Sequence, residues 1–157
     1  MLWYDFLRWA HVLGACVLLG TGAGIAFFMV MAHRTRNAQL IAHVAGTVVV
    51  ADTLFTATAA VVQPLTGYLL AREVGWELTE PWLMFSLGLY VLIGAFWLPV
   101  VWMQARMRNL ARQAARADMP LPEAYFRLYR LWFLCGFPAF TAVLAIVWLM
   151  LAKPTFG

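Results

Sequence analysis

Residues 40–70 read LIAHVAGTVVVADTLFTATAAVVQPLTGYLL, and this stretch decides the fold. About 20 apolar residues are enough to cross a bilayer as a helix, so we interpret this longer run as membrane-spanning. Asp52 lies near its centre, where a charged side chain costs roughly 2.5–3.5 kcal/mol on insertion scales. We therefore expect Asp52 to face the interior of a helix bundle and not the lipid.

The residues around Asp52 predict one polar face on this helix. At 100° per residue, Thr56, Ala59 and Gln63 fall within about 40° of Asp52 on a helical wheel. Two interpretations stay open: a proton, ligand or cofactor site, or interhelical hydrogen bonding that only holds the bundle together. Pro64 predicts a kink or a loosened turn near the end of the helix.

The composition indicates that the chain is an integral membrane protein. Its 157 residues are 64% apolar and 11% charged, with a mean hydropathy of +0.80. We predict an all-α, four-span transmembrane bundle in a single domain, with short loops that make sequential helices antiparallel. The lipid bilayer is then the first partner, and no aromatic-basic surface for nucleic acid is visible. The predicted spans are approximately residues 4–31, 39–71, 81–103 and 126–152.

Two further segments of the sequence support this arrangement. The first residues, MLWYDFLRWAH, contain Asp5 and no basic segment, so we expect them to be retained as the start of the first span and not removed as a signal peptide. The connection after span three, QARMRNLARQAARADMPLPEAY, favours a helix that leaves the membrane before Pro120 and Pro122 turn the chain.

Basic residues predict the orientation. Of the 11 Lys and Arg residues, eight flank the first and third loops and three lie on the other side. The positive-inside rule then puts both termini outside the cytoplasm, in a membrane that we take to be the bacterial cytoplasmic (inner) membrane. The eight are Arg34, Arg36, Arg106, Arg108, Arg112, Arg116, Arg127 and Arg130.

Helix rise predicts which polar groups share a depth. His11 lies about 8 Å below the outer surface if the core begins near Phe6, and Asp52 about 12 Å below it if the core begins near Leu40. We therefore expect His11, Asp52 and Thr56 to meet in the outer half of the bundle. Gly14 lies on the same face as His11, so a flat ligand could approach the helix there, and the glycines from Gly20 to Gly24 are typical of close helix approach.

His11 is the candidate metal ligand. Two axial haem ligands stand about 4 Å apart, given iron–nitrogen bonds of about 2 Å. His43 lies roughly 20 Å from His11 along the membrane normal, so the two cannot hold one haem. Met84 and Met150 are at the depth of His11. The two cysteines, Cys16 and Cys135, fit no metal or redox motif, and no phosphate loop, zinc pattern or nucleophile motif is present.

Three segments together resemble a family catalogued as domain of unknown function 2269, predicted integral membrane proteins. The segments are LRWAHVLGACVLLGTGAGIAFFMVMAHR, ADTLFTATAAVVQPLTG and RLYRLWFLCGFPAFTAVLAIVWLMLAKP. The resemblance extends over nearly the whole chain and implies four spans. The family label states no activity.

A more distant resemblance is to the haem-b-containing protoporphyrinogen oxidases of the HemJ type. Their first span carries a pattern like W-x-K-x-x-H, to which LRWAH at residues 7–11 is similar, and they close on Lys-Pro-Phe, here Lys153-Pro154-Thr155-Phe156. The resemblance implies a haem-ligating role for His11. In span three the pattern W-L-H-x-K-L is replaced by WLMFSL, so Met84 stands in place of histidine and Ser86 in place of lysine.

These inferences combine into one functional hypothesis with open alternatives. The chain is a redox-linked membrane protein that binds haem b or a related porphyrin, with His11 as axial ligand and Met84 as a sixth ligand. Asp52, Thr56 and Gln63 line that site. A haem-dependent membrane oxidoreductase, a membrane redox partner and a homo-oligomer are compatible with this hypothesis. The alternatives are a non-enzymatic membrane subunit or assembly factor, and a carrier of protons or a small molecule that uses Asp52.

Overall fold

The computed structural model describes residues 2–154 as four long helices joined by short connections. Helix α1 comprises Leu2–Arg34. The second long helix contains α2 (Ala38–Ala51), a π-helical segment (Asp52–Thr56) and α3 (Ala57–Val74). Helix α4 comprises Pro81–Arg116 and α5 comprises Glu123–Ala152. All four are long and apolar enough to cross a membrane, which confirms the predicted fold class. Thr155 and Phe156, which close the predicted C-terminal motif, lie outside the described residues.

Local sequence signals explain where the helices begin and end. The Asn37 side chain accepts a hydrogen bond from the Leu40 amide at 3.0 Å and caps α2. Gly75 ends α3 with a left-handed backbone at φ 81°, which glycine adopts without strain. Pro81 begins α4 as expected, because the first turn of a helix tolerates a missing N–H. Helix α4 runs on to Arg116, as predicted, before the two prolines.

The helices pack as an antiparallel bundle around two apolar clusters. Helix α4 packs against α5 and α2, and α1 packs along α2, the π-helical segment and α3. We call the end that holds residues 35–37 and 117–122 the basic end, and the other the opposite end. A large cluster at the basic end includes Met29, Ile41, Met107 and Tyr125; a smaller one at the opposite end joins Ala71, Trp82, Leu83 and Leu149. A polar face lies between them.

An aromatic stack closes the basic end. The His33 ring stacks on Tyr129 with centroids 3.6 Å apart and lies 3.4 Å from the Tyr125 hydroxyl. Arg36 lies over the ring of Phe126 at 5.1 Å. These contacts attach the loop after α1 to the beginning of α5.

The glycine-rich part of α1 does not make the expected close helix contacts. A Cβ atom built at Gly20, Gly22 or Gly24 would meet no other atom within 4 Å. The expectation for this run is wrong because a stripe of small residues brings helices together only where a neighbouring helix is aligned with it, and here none is.

Candidate functional site

The carboxylate of Asp52 is buried in the bundle. Asp52 is 4% exposed, so the expectation that it faces away from lipid is confirmed. The indole Nε1 of Trp97 on α4 donates to Asp52 Oδ1 at 3.2 Å. The second oxygen, Oδ2, is buried and makes no hydrogen bond of standard geometry among residues 2–154, although the Thr56 hydroxyl lies close to the carboxyl group. An unsatisfied buried oxygen is costly and calls for a group that bonds it, such as an ordered water or a ligand.

A π-helical turn begins at Asp52 itself. The amide of Ala57 donates to the carbonyl of Asp52, five residues back, where an α-helix would use a spacing of four. Such single-turn insertions occur often at functional sites. Thr56 ends the turn, is 9% exposed, and has a buried hydroxyl oxygen without a partner in the described chain.

The polar face continues along α3. Ala59, Gln63 and Thr66 are each less than 10% exposed, so the predicted Asp52–Thr56–Ala59–Gln63 face is buried as a whole. The side-chain oxygen of Gln63 is a third buried polar atom that lacks a partner within residues 2–154. A Cβ added to Gly14 would stand 3.1 Å from that oxygen, so α1 approaches α3 closely here because Gly14 has no side chain.

His11 joins this face at the opposite end. Its Nδ1 lies 2.9 Å from Thr66 Oγ1, and the Thr66 hydroxyl lies 2.8 Å from the Val62 carbonyl. A hydroxyl has one hydrogen, so when Thr66 donates to that carbonyl its oxygen accepts from His11 Nδ1–H. The lone pair of His11 is then on Nε2. Metal-binding histidines show the same pattern, with the other nitrogen donating to a protein oxygen. His11 therefore points into the bundle, towards the second long helix.

The expected meeting of His11 with Asp52 and Thr56 is wrong. Thr66, the actual partner, lies 14 residues beyond Asp52, which corresponds to about 21 Å along the helix. The second long helix has 37 residues, far more than a core of about 30 Å requires. Counting depth from Leu40 therefore placed Asp52 too close to the opposite end.

The five residues predicted for a haem site are not brought together. The side chain of Met84 is 58% exposed on the outside of the bundle and does not face His11. The space beside Gly14 is filled by Gln63, and a Cβ at Gly67 would stand 3.1 Å from the His11 ring, so α3 occupies the room that a flat ligand would need. A haem enclosed by these five residues does not fit. No group of three His, Cys, Asp or Glu side chains suited to a metal is present in residues 2–154.

A hydrogen bond from a tyrosine to the backbone was missed by the sequence reasoning. Pro64 has no N–H to offer the Ala60 carbonyl four residues back, and the hydroxyl of Tyr90 on α4 donates to that carbonyl. Freed carbonyls in membrane helices are usually bonded by neighbouring helices in this way. The proline predicts the free carbonyl, but nothing in the sequence identifies Tyr90 as its donor.

Comparison with known proteins gives a family and no activity. A family model described as "Predicted integral membrane protein (DUF2269)" matches residues 5–154. No curated protein and no solved structure matches the chain.

Proposed function

The chain therefore belongs to DUF2269, a family of predicted integral membrane proteins, and we propose that it is a proton-linked membrane protein in which Asp52 binds and releases a proton. The observation that carries the proposal is the buried Asp52 carboxyl group, which has no cationic partner among the described residues and whose Oδ2 makes no hydrogen bond of standard geometry there, with the Thr56 hydroxyl close by. Ionisable side chains in that setting commonly belong to proton relays.

The rest of the polar face supports a route for that proton. Thr56 and Gln63 each present a buried oxygen with no partner in the described chain, on the same side of the helix as Asp52. Bound waters typically bridge such oxygens and make about three hydrogen bonds each. At the far end, Thr66 and His11 connect the face to the opposite end of the bundle. The face is about 21 Å long.

Proton flux into liposomes tests this proposal. Purified protein is reconstituted with a pH-sensitive dye inside, and a potassium diffusion potential drives protons inward. Wild-type protein should acidify the lumen, and Asp52→Asn should reduce the flux to that of protein-free liposomes. Asparagine keeps the shape of the side chain and its acceptor for Trp97, so a loss of flux reports the lost carboxyl group. Equal flux in both proteins would overturn the proposal and leave the face as helix packing.

Two threonines give a matched control for the route. Thr56 is buried and its hydroxyl is unpaired in the described chain, whereas Thr53 is exposed and its hydroxyl donates to the Val49 carbonyl at 2.8 Å. Replacing either by valine removes one hydroxyl and preserves the branched shape. Thr56→Val should slow proton flux and Thr53→Val should not. If the two variants behave alike, the flux does not follow the polar face.

A second candidate function is axial ligation of haem b by His11 alone. The observation that favours it is the bond of Nδ1 to Thr66, which leaves the lone pair on Nε2. Because α3 fills the space beside the ring at Gly67, such a haem would have to lie outside the contact of α1 with α3. The second ligand and the electron partner would come from outside this chain, from a membrane redox partner or a second copy. A visible spectrum of detergent-purified protein tests this: a Soret band lost in His11→Ala and kept in His43→Ala supports it. A spectrum without that band ends it.

We also propose that the basic end faces the cytoplasm of a bacterial cell, with the chain in the cytoplasmic membrane. The support is the positive-inside rule, since eight of the 11 basic residues lie at this end. A cysteine introduced at Ala115, near the end of α4, should not react with an impermeant thiol reagent applied to intact cells. The control is the same variant after permeabilisation. Labelling from outside would reverse the orientation.

A further inference from the structure

A groove at the basic end contains an arginine that forms no hydrogen bond or ion pair with the part of the chain that the structure describes. The cavity has a volume of about 550 Å³ and lies between α2 and the end of α4, away from the polar face. Its lining residues are Ala42, His43, Gly46, Thr47, Val50 and Arg112. None of these six carries a negative charge, so the groove is basic.

The guanidinium of Arg112 lies along this groove, although the side chain is exposed. A Cβ atom on Gly46 would stand 3.2 Å from the Arg112 guanidinium, so the guanidinium rests against the bare backbone of α2. Gly46 lies eight residues into α2, about 12 Å from its beginning. Long basic side chains near a membrane surface usually turn their charge towards water. No hydrogen bond or ion pair within residues 2–154 accounts for the position of this guanidinium over Gly46.

The two parts of the groove match the two parts of a phospholipid: the outer part is polar and basic, and the inner part is apolar. Its outer part holds the exposed His43 ring, whose N–H adds a donor to the five of Arg112. Its inner part, about two turns of α2 nearer the membrane centre, ends at Val50, which is 56% exposed. A charged head could bond the first part while an acyl chain lies along the second.

We propose that this groove binds the phosphate group of an anionic phospholipid, with Arg112 as the principal ligand and His43 as a second donor. Arginine binds phosphate oxygens through two parallel hydrogen bonds, and such charge-assisted bonds are about twice as strong as neutral ones. Val50 and Ala42 favour a phospholipid over free phosphate as the ligand, because their apolar side chains can contact an acyl chain, which a free phosphate ion lacks. The proposal is independent of proton binding at Asp52.

Native mass spectrometry of the detergent-solubilised protein tests the site. Wild-type protein, titrated with phosphatidylglycerol, should retain one lipid more strongly than it retains phosphatidylcholine. Arg112→Gln should lower the retention of phosphatidylglycerol about tenfold. Arg116→Gln is the matched control, because it removes the same charge one turn along α4 at a residue that does not line the groove. Neither side chain bonds the rest of the described chain, so both variants should fold.

Each outcome decides the proposal. A selective loss in Arg112→Gln supports it, and an equal loss in both variants would show attraction by the general basic surface and overturn it. Inorganic phosphate, added as a competitor, distinguishes a phospholipid headgroup from free phosphate as the ligand of the groove. If phosphate displaces the lipid and itself protects wild-type but not Arg112→Gln protein from thermal unfolding, the site takes free phosphate and the lipid assignment is wrong.

Discussion

The hydrogen bond from the Tyr90 hydroxyl to the Ala60 carbonyl leads to a prediction about stability, with a magnitude set by the loss of one bond to the backbone. Tyr90→Phe removes the donor to the Ala60 carbonyl that Pro64 leaves free. An unsatisfied buried acceptor costs about 1–3 kcal/mol in soluble proteins, whereas side-chain hydrogen bonds in a membrane protein average about 0.6 with a maximum near 1.7. We expect Tyr90→Phe to lower the free energy of unfolding by about 1 kcal/mol.

The same reasoning predicts that the loss of stability caused by Tyr90→Phe depends on Pro64. In Pro64→Ala the new backbone N–H can bond the Ala60 carbonyl directly, so Tyr90 is no longer needed there. Tyr90→Phe made in that background should cost only a few tenths of a kcal/mol. The expected interaction energy approaches 1 kcal/mol, beyond the roughly 0.3–0.5 kcal/mol within which independent sites add.

Reversible unfolding in mixed micelles, followed by tryptophan fluorescence, measures all four proteins of this cycle. The eight tryptophans provide the signal. Tyr68→Phe is the control, because Tyr68 is 46% exposed on α3 and its hydroxyl forms no hydrogen bond in the described chain. If Tyr90→Phe costs the same with proline or alanine at position 64, the bond does not replace the missing backbone bond and the reasoning fails.

Two further predictions concern the contact of α1 with α3. Thr66→Val should lower stability by roughly 0.6–1.7 kcal/mol because His11 Nδ1 loses its acceptor, and Thr66→Ser should restore it; chemical unfolding measures both. Gly14→Val should destabilise by about 1–3 kcal/mol through the clash with Gln63, whereas Gly20→Val has open space and should change stability little. Equal effects at Gly14 and Gly20 would contradict the close approach.

Helical periodicity was enough to predict the polar face. The spacing of Thr56, Ala59 and Gln63 from Asp52 survives the π-helical turn closely enough that all four remain buried on one side. Because a lipid-facing carboxylate is costly, the face that contains Asp52 could be predicted to turn towards the interior of the bundle. Thr66 continues the same face, about 40° from Asp52 on the wheel, so the signal that would have found it was present.

Contacts between helices were harder to predict, because they depend on how far each helix slides and tilts. A depth count assumes upright helices and known membrane boundaries, and neither holds for a helix of 37 residues. The error moved Asp52 towards His11. Trp97 was not anticipated as a partner of Asp52, since its position on α4 gives no indication of which residue of the second long helix it meets.

Infrared spectroscopy of the Asp52 carboxyl group tests the central claim most directly. Spectra of wild-type and Asp52→Asn protein are recorded across a range of pH in reconstituted bilayers, and their difference isolates the carbonyl stretch of the protonated acid. The account predicts a carboxyl band that is absent from Asp52→Asn and changes in intensity with pH, because Asp52 binds and releases a proton. A wild-type minus variant difference that contains no pH-dependent carboxyl band would contradict it.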